Sequence, residues 1–229
     1  MSTNPGLAAM LSDIEREVEY TRHEIGRDAF APRVMAAMAA VPREQFVPEA
    51  SRRHAFANGP LLIGHGQTIS QPYIVALMTD LLAPRPRDSI LEIGTGSGYQ
   101  SAVLAELVRQ VHSVEIIAAL ATAAGQRLAR LGYDNVSVRH ADGYRGWPEH
   151  APYDGIIVTA AAPRVPPPLV EQLKPGARLV IPVGLPGGVQ ELQVVDKHAD
   201  GTIETRNILR VMFVPLTRAA TTGVDRQGT

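Results

Sequence analysis

Apolar and polar residues alternate along this chain in two periods, and the switch between them marks out its elements. Leu7, Met10, Leu11, Ile14 and Val18 recur at helical spacing with charged residues between them, as in a helix with one buried stripe. A second helix is expected from near Asp28, placed as an N-cap, with Val34, Met38 and Val41 on one face and Pro42 at its end. Residues 58–71 (N-G-P-L-L-I-G-H-G-Q-T-I-S-Q) carry glycines on both sides of His65 and read as a binding loop. A third helix runs from Pro72 to about Leu82, with Ile74, Leu77, Met78 and Leu81 inward. Ser70 stands where its N-cap belongs, and Pro72 falls in the first turn.

After the connector Pro84-Arg85-Pro86-Arg87 the alternation becomes regular. Strands are expected at 88–93, 111–116, 136–141, 153–159 and 177–183, with helices at 98–109, 117–131 and around Pro167–Leu173. Continuous apolar strands between helices argue for an α/β fold with a parallel sheet covered on both faces. Leu192–Val195 and Leu209–Val214, separated by Asp200-Gly201, read as an antiparallel hairpin closing that sheet. Residues 1–82 are expected to supply helices and a substrate loop packed on a core of residues 83–217. Residues 218–229 turn polar and are expected to form a flexible tail.

The strongest chemical signal is the stretch from Ser89 to Tyr99. An apolar run ends in Glu92 and then turns through Gly94, Gly96 and Gly98, with Thr95 and Ser97 between them, before helical spacing resumes at Ala102, Val103, Leu107 and Val108. Strand, glycine loop and helix start together form a ligand-binding turn, because glycine lets a ligand approach the backbone closely. The dinucleotide fingerprint is G-x-G-x-x-G with a pyrophosphate on the helix end. Here the spacing is G-x-G-x-G beside an acid. A carboxylate there repels a pyrophosphate and attracts a sulfonium or ammonium group, which favours S-adenosylmethionine over NAD. Glu115 ends the second strand about twenty residues on, where an acid accepts hydrogen bonds from ribose hydroxyls. Asp142, followed by Gly143, ends the third strand and is placed to reach adenine. The three strand ends point polar groups into one crevice, the edge at which open α/β sheets bind ligands.

Composition removes several alternatives. There is no cysteine, so disulfides, thiolate nucleophiles and cysteine metal sites are excluded, and no metal is expected. A net charge of −1 offers no electrostatic footprint for nucleic acid. No apolar run approaches the ~18 residues of a membrane span, and Met-Ser-Thr-Asn-Pro lacks the features of a signal peptide. The expectation is a cytoplasmic, monomeric protein that does not engage membranes. His23, His54 and His65 read as surface or loop histidines.

Four segments resemble the protein-L-isoaspartate (D-aspartate) O-methyltransferase family: A-V-P-R-E-Q-F-V-P (40–48), G-H-G-Q-T-I-S-Q-P-Y (64–73), L-E-I-G-T-G-S-G-Y-Q (91–100), and the run from Pro152 to Gly184. V-P-L-T (214–217) matches as well. The glycine loop is shared by many methyltransferases, whereas Q-T-I-S-Q-P and V-P-R-E-Q-F-V-P are far more specific. The resemblance implies a Rossmann-like class I S-adenosylmethionine-dependent methyltransferase fold, with a mostly parallel seven-stranded sheet. It implies a catalytic serine at Ser70 and substrate contacts at Thr68, Ile69 and Ser70. Cofactor contacts follow at Thr68, the glycine loop from Glu92 to Gly98, Glu115, Asp142, Gly143 and Thr217.

The implied reaction is methyl esterification of the free α-carboxylate of L-isoaspartyl residues, and as a further expectation D-aspartyl residues, in damaged proteins and peptides, with S-adenosylhomocysteine as product. A free carboxyl group, with an ordinary pKa of ~3.5–4, is ionised near neutrality and already a nucleophile. No general base is therefore required, and catalysis rests on positioning and on removing water. Ser70 and the N–H groups at the start of its helix are the expected anion holders. Three other readings compete: a small-molecule or peptide-tailoring methyltransferase, a non-catalytic cofactor-binding protein, and, weakest, an NAD-linked dehydrogenase.

Overall fold

The computed structural model describes residues 4–185 and 187–218. The N-terminal third is helical. Helix α1 (Pro5–Ile25) starts where the Asn4 side chain accepts the Gly6 N–H at 2.9 Å, and stops at Gly26, whose left-handed φ of 65° lets its N–H return to the Arg22 carbonyl. Met10, Ile14, Val18 and Ile25 form its buried face. Helix α2 (Pro32–Ala40) is capped at Ala31, not at Asp28 as the sequence suggests. The helix entry is held from outside: the Ala31 N–H donates to Asp80 Oδ1 at 2.8 Å, and Arg27 pairs with the other oxygen of the same carboxylate at 2.9 Å.

The loop expected over residues 58–71 contains a small hairpin. Strands β1 (Leu61–Gly64) and β2 (Gln67–Ile69) pair antiparallel, turning through Gly64, His65 and Gly66, all three at positive φ. Helix α3 (Pro72–Leu82) follows, and here Ser70 is not the cap. Gln71 occupies that position without a side-chain hydrogen bond. With Pro72 as the first helical residue, the cap falls one position after the serine. The Tyr73 N–H is instead taken by Asn58 Oδ1 at 3.3 Å.

The remaining chain builds a seven-stranded sheet. Its strands are β3 (Ser89–Ile93), β4 (Gln110–Glu115), β5 (Val136–His140), β6 (Tyr153–Val158), β7 (Leu173–Gly184), β8 (Gln190–Lys197) and β9 (Ile203–Val211), in spatial order β5-β4-β3-β6-β7-β8-β9. Pairings from β5 to β7 are parallel, and β7-β8-β9 is an antiparallel extension. Helices α4 (Tyr99–Ala105), α5 (Ala118–Arg130) and α6 (Pro167–Glu171) connect the parallel strands. Three of these elements differ from the sequence reading by more than two residues. Helix α4 ends at Ala105 rather than 109, and β7 begins at Leu173 rather than 177, carried past Pro175-Gly176 by an irregular register opposite Tyr153–Gly155. Strand β9 covers Ile203–Val211 rather than Leu209–Val214, because it pairs along the whole of β8, from Lys197 opposite Ile203 to Gln190 opposite Val211.

Every residue of β3 is buried, as its unbroken apolar run requires of a central strand covered on both sides. Ile90 belongs to the cluster that includes Met10, Met38, Phe46, Leu77 and Tyr99. Leu91 and Ile93 belong to the opposite cluster, with Ile156, Leu179 and Ile181. Strand order reverses between β3 and β6, so the C-terminal ends of β3, β4 and β6 frame a crevice where neighbouring connections leave in opposite directions. Among the described residues no helix is long and apolar enough to cross a membrane. The tail expected after Thr217 lies, from residue 219 onward, outside the described residues.

Candidate active site

The glycine loop folds over the C-terminal edge of β3. Gly94 has φ 96°, and its N–H donates to the Val114 carbonyl at 2.8 Å, tying the loop to β4. A Cβ at Gly94 would lie 2.4 Å from Thr159 Oγ1, closer than real carbon–oxygen contacts come. Thr159, just past β6, donates its hydroxyl to the Gly94 carbonyl at 2.7 Å and lies 3.1 Å from the Ile93 carbonyl. The loop is therefore pinned from both neighbouring strands.

Glu115 ends β4 and faces the loop. Its Oε2 accepts the Gly96 N–H at 2.8 Å and its Oε1 accepts the Ile117 N–H at 2.9 Å. In a dinucleotide site a loop glycine brings the backbone up to a pyrophosphate. Here the Gly96 N–H is spent on a carboxylate, and the negative charge beside it opposes a phosphate. Each carboxylate oxygen keeps a lone-pair direction for a hydroxyl donor, so the donor and acceptor set fits the ribose of an adenosine without a pyrophosphate.

The crevice is lined by Thr68, Gly94, Gly96, Glu115, Gly143 and Thr217, all singled out by the sequence, together with Gln67, Thr159 and residues 214–216. A second, smaller cavity opens beside it. Its walls include Thr68, Ile69, Ser70, Thr95, Ser97 and Tyr99. Thr68, Gly94, Gly96 and Thr159 belong to both, so the crevice and the Ser70 cavity are joined. Hairpin β1–β2 closes over the loop, with Ile63 Cδ1 3.5 Å from the point where a Gly96 Cβ would stand.

Of the residues selected as cofactor contacts, Thr95 and Ser97 line the Ser70 cavity rather than the crevice, and three others line neither. Glu92 does not line the crevice. It shares the face of β3 that carries Ile90, and it lies fully buried beneath α4, where Ser101 and Ser113 (2.6 Å) both donate to its Oε2 and its Oε1 has no partner among the described residues. Burial pushes its carboxyl up to about 7, with the nearby Glu115 charge adding to the shift and the two serine hydroxyls opposing it. Asp142 caps the 3₁₀ turn Gly143–Arg145 by accepting the Tyr144 N–H at 3.0 Å, and its neighbour Gly143 faces the crevice. Gly98 starts α4 behind the loop.

At the helix start after Ser70, two of the first positions offer no N–H to an anion. Pro72 has no N–H, and the Tyr73 N–H is donated to Asn58. Two participants escape sequence inspection. Thr159 follows an apolar strand with only its polarity to mark it. Arg43 sits in a recognisable motif, but it is brought to Ser70 only by the fold.

A glycine loop over the central strand of a mostly parallel seven-stranded sheet, an acid on the next strand end and an antiparallel closing hairpin define the class I S-adenosylmethionine-dependent methyltransferases. The family profile of protein-L-isoaspartate(D-aspartate) O-methyltransferase matches residues 21–221, and the chain belongs to that family. It is 60% identical over 210 residues to protein-L-isoaspartate O-methyltransferase 2 of Syntrophobacter fumaroxidans, covering 92% of this chain and 85% of that protein. It is 59% identical to the Polaromonas sp. protein of the same name, covering 91% and 99%. Among solved structures, a protein-L-isoaspartate O-methyltransferase superposes with a TM-score of 0.77 at 27% identity, covering 90% of this chain and 65% of that one. A Plasmodium falciparum structure described as a protein-L-isoaspartate O-methyltransferase with S-adenosyl-L-homocysteine shares the fold, with a TM-score of 0.72 at 24% identity, covering 90% of this chain and 98% of that one.

Proposed function

We propose that this chain esterifies the free α-carboxylate of L-isoaspartyl residues in proteins and peptides, using S-adenosylmethionine as the methyl donor. Family membership supports the activity. The observation that carries the site assignment is the continuity between the Glu115 crevice and the Ser70 cavity through Thr68 and Thr159. One compartment suits an adenosine and the other a small anion, and they share a wall.

When bound, S-adenosylmethionine supplies a sulfonium methyl that a carboxylate oxygen takes in line. The chain's residues do the rest. Glu115, held by two backbone N–H groups, receives the ribose hydroxyls. Gly143, set by the Asp142 cap, and Thr217 flank the adenine end. Thr68 stands at the junction, and the Ser70 hydroxyl, free of any capping duty, donates to the substrate carboxylate. That carboxylate is ionised at neutral pH, so no residue has to remove a proton. Hairpin β1–β2 and the loop exclude water from the nucleophile, which raises its reactivity. The backbone amide nitrogen of the following residue then attacks the methyl ester and expels methanol, and water opens the resulting succinimide partly to aspartate, without enzyme. A cytoplasmic, monomeric protein acting on damaged proteins and peptides, without a metal, belongs to the same reading.

The test is methyl transfer from labelled S-adenosylmethionine to paired peptides that differ only in Asp or isoAsp at one position. Transfer confined to the isoAsp peptide is expected. Equal labelling of both, or of neither, refutes the assignment.

A further inference from the structure

Arg43 lies in the motif V-P-R-E-Q-F-V-P, in a 3₁₀ turn (Arg43–Phe46), and is completely buried. Its Nε donates to the Ala55 carbonyl at 2.8 Å and its Nη2 to the Ser70 carbonyl at 2.7 Å. The guanidinium carbon stands 4.6 Å from the centre of the Tyr99 ring, a cation–π distance. Nη1 has no partner. Among the described residues no carboxylate pairs with it within 4.0 Å: the neighbouring Glu44 has a buried, unpartnered Oε2 of its own and makes no ion pair with Arg43.

A buried cation without a counter-ion is expensive, and an apolar residue of similar volume would ordinarily stabilise a core better. A guanidinium keeps its proton in proteins, although burial lowers its affinity for that proton, so the charge persists. Its position gives it a use. Two of the three groups it touches, Ser70 and Tyr99, are walls of the small cavity beside the glycine loop. Two other sources of positive potential lie near Ser70: the start of α3, which has no free N–H at Pro72 or Tyr73, and Arg210 on β9, which lines a wider cavity with Ser70 but is exposed and stands 3.7 Å from Glu191.

We propose that Arg43 is the positioning residue for the reacting carboxylate: its bond to the Ser70 carbonyl and its stack on Tyr99 set the Ser70 hydroxyl, and its unpaired charge makes that cavity selective for an anion. This rests on Ser70 as the substrate contact. The field acts through a low-dielectric layer one residue thick, where it is screened little by solvent or salt. Arg43 does not touch the substrate. It acts through Ser70.

The experiment compares two peptides in the presence of S-adenosylhomocysteine, one with isoaspartate and one with its neutral α-carboxamide analogue, by calorimetry on wild type, Arg43→Met and Arg43→Lys. Wild type should prefer the carboxylate by roughly tenfold or more, and Arg43→Met should lose most of that preference. Its affinity for S-adenosylhomocysteine should stay within about threefold of wild type, since Arg43 does not line the crevice. Arg43→Lys keeps the charge but lacks the planar fork. It should retain the preference while kcat falls by about tenfold or more, a loss that saturating either substrate does not restore. An Arg43→Met protein with the wild-type preference overturns the proposal, even if it melts lower. Should Arg43→Met fail to fold, an Arg43→Lys protein with wild-type kcat overturns it equally. A wild-type protein that does not distinguish the two peptides would bring down the Ser70 reading itself, and this inference with it.

Discussion

The Thr159 hydroxyl donates to the carbonyl of Gly94 at 2.7 Å, and this contact sets the outer edge of the crevice. It works only because residue 94 has no side chain: an added Cβ would sit 2.4 Å from the same oxygen, on a backbone already at φ 96°. Gly94→Ala should therefore combine backbone strain of ~1–3 kcal/mol with the loss of this bond. Calorimetry should show S-adenosylhomocysteine affinity falling at least about tenfold. Thr159→Val, which keeps the shape and removes the donor, should weaken binding more mildly. If Gly94→Ala binds as wild type does, the pinned-loop account fails.

Glu115 answers to two backbone donors, Gly96 and Ile117. Glu115→Ala leaves both N–H groups without a partner, at ~1–3 kcal/mol for each one that stays buried, and removes the acceptor for ribose. Binding of S-adenosylhomocysteine should fall steeply and the melting temperature should drop with it. Asp142→Ala, by contrast, removes a cap bond worth ~0.5–2 kcal/mol, and its effect on affinity should follow only from displacement of Gly143. Titration of both variants with S-adenosylhomocysteine and with NAD separates the cases, and wild type is expected to leave NAD unbound.

Ser70→Ala should lower single-turnover methyl transfer to an isoaspartyl peptide by roughly tenfold to a thousandfold, the upper end being what a preorganised donor supplies to an oxyanion. Because Gln71 is the cap of α3, the melting temperature should barely change. A variant that melts lower yet methylates normally would remove Ser70 from the mechanism.

The pH dependence of stability carries two opposed contributions. Glu92 is raised to about 7 by burial, so between about pH 4.5 and 7 the folded state holds more protons than the unfolded state, and stability falls as pH rises through that window. His112, beside His150 and Trp147, is lowered to about 4 by burial and then by His150 and Arg109. There the unfolded state holds more protons, and stability rises with pH between about 4 and 6.5. The wild-type profile should be nearly flat where the two overlap. Glu92→Gln should unmask the rise, its stability relative to wild type increasing by up to ~3 kcal/mol between pH 4 and 8. His112→Leu should unmask the fall. Urea midpoints between pH 4 and 8 check both signs, and parallel profiles for wild type and Glu92→Gln would refute the Glu92 assignment.

Much of this molecule is determined locally, and those parts are legible in the chain. The seven strands and their covering helices follow from apolar periods, because burial on one face or two leaves a repeat of 3.6, 2 or none. The crevice follows from glycine spacing and from acids at strand ends, since parallel strands deliver their C-terminal residues to one edge. The placement of Thr68, Gly94, Gly96, Glu115, Gly143 and Thr217 around one crevice is the result. What depends on which face a residue takes, or on a partner distant in sequence, was decided by the tertiary structure. Glu92 stands next to the loop in sequence, yet strand alternation turns it under α4 and makes it a buried acid held by Ser101 and Ser113. Ser70 resembles a cap until Asn58, from the far side of the β1–β2 hairpin, is found holding the helix start. Arg43 and Thr159 reach Ser70 and Gly94 across 27 and 65 residues, because only packing of the N-terminal helices on the sheet, and the pairing of β3 with β6, bring them within hydrogen-bond range.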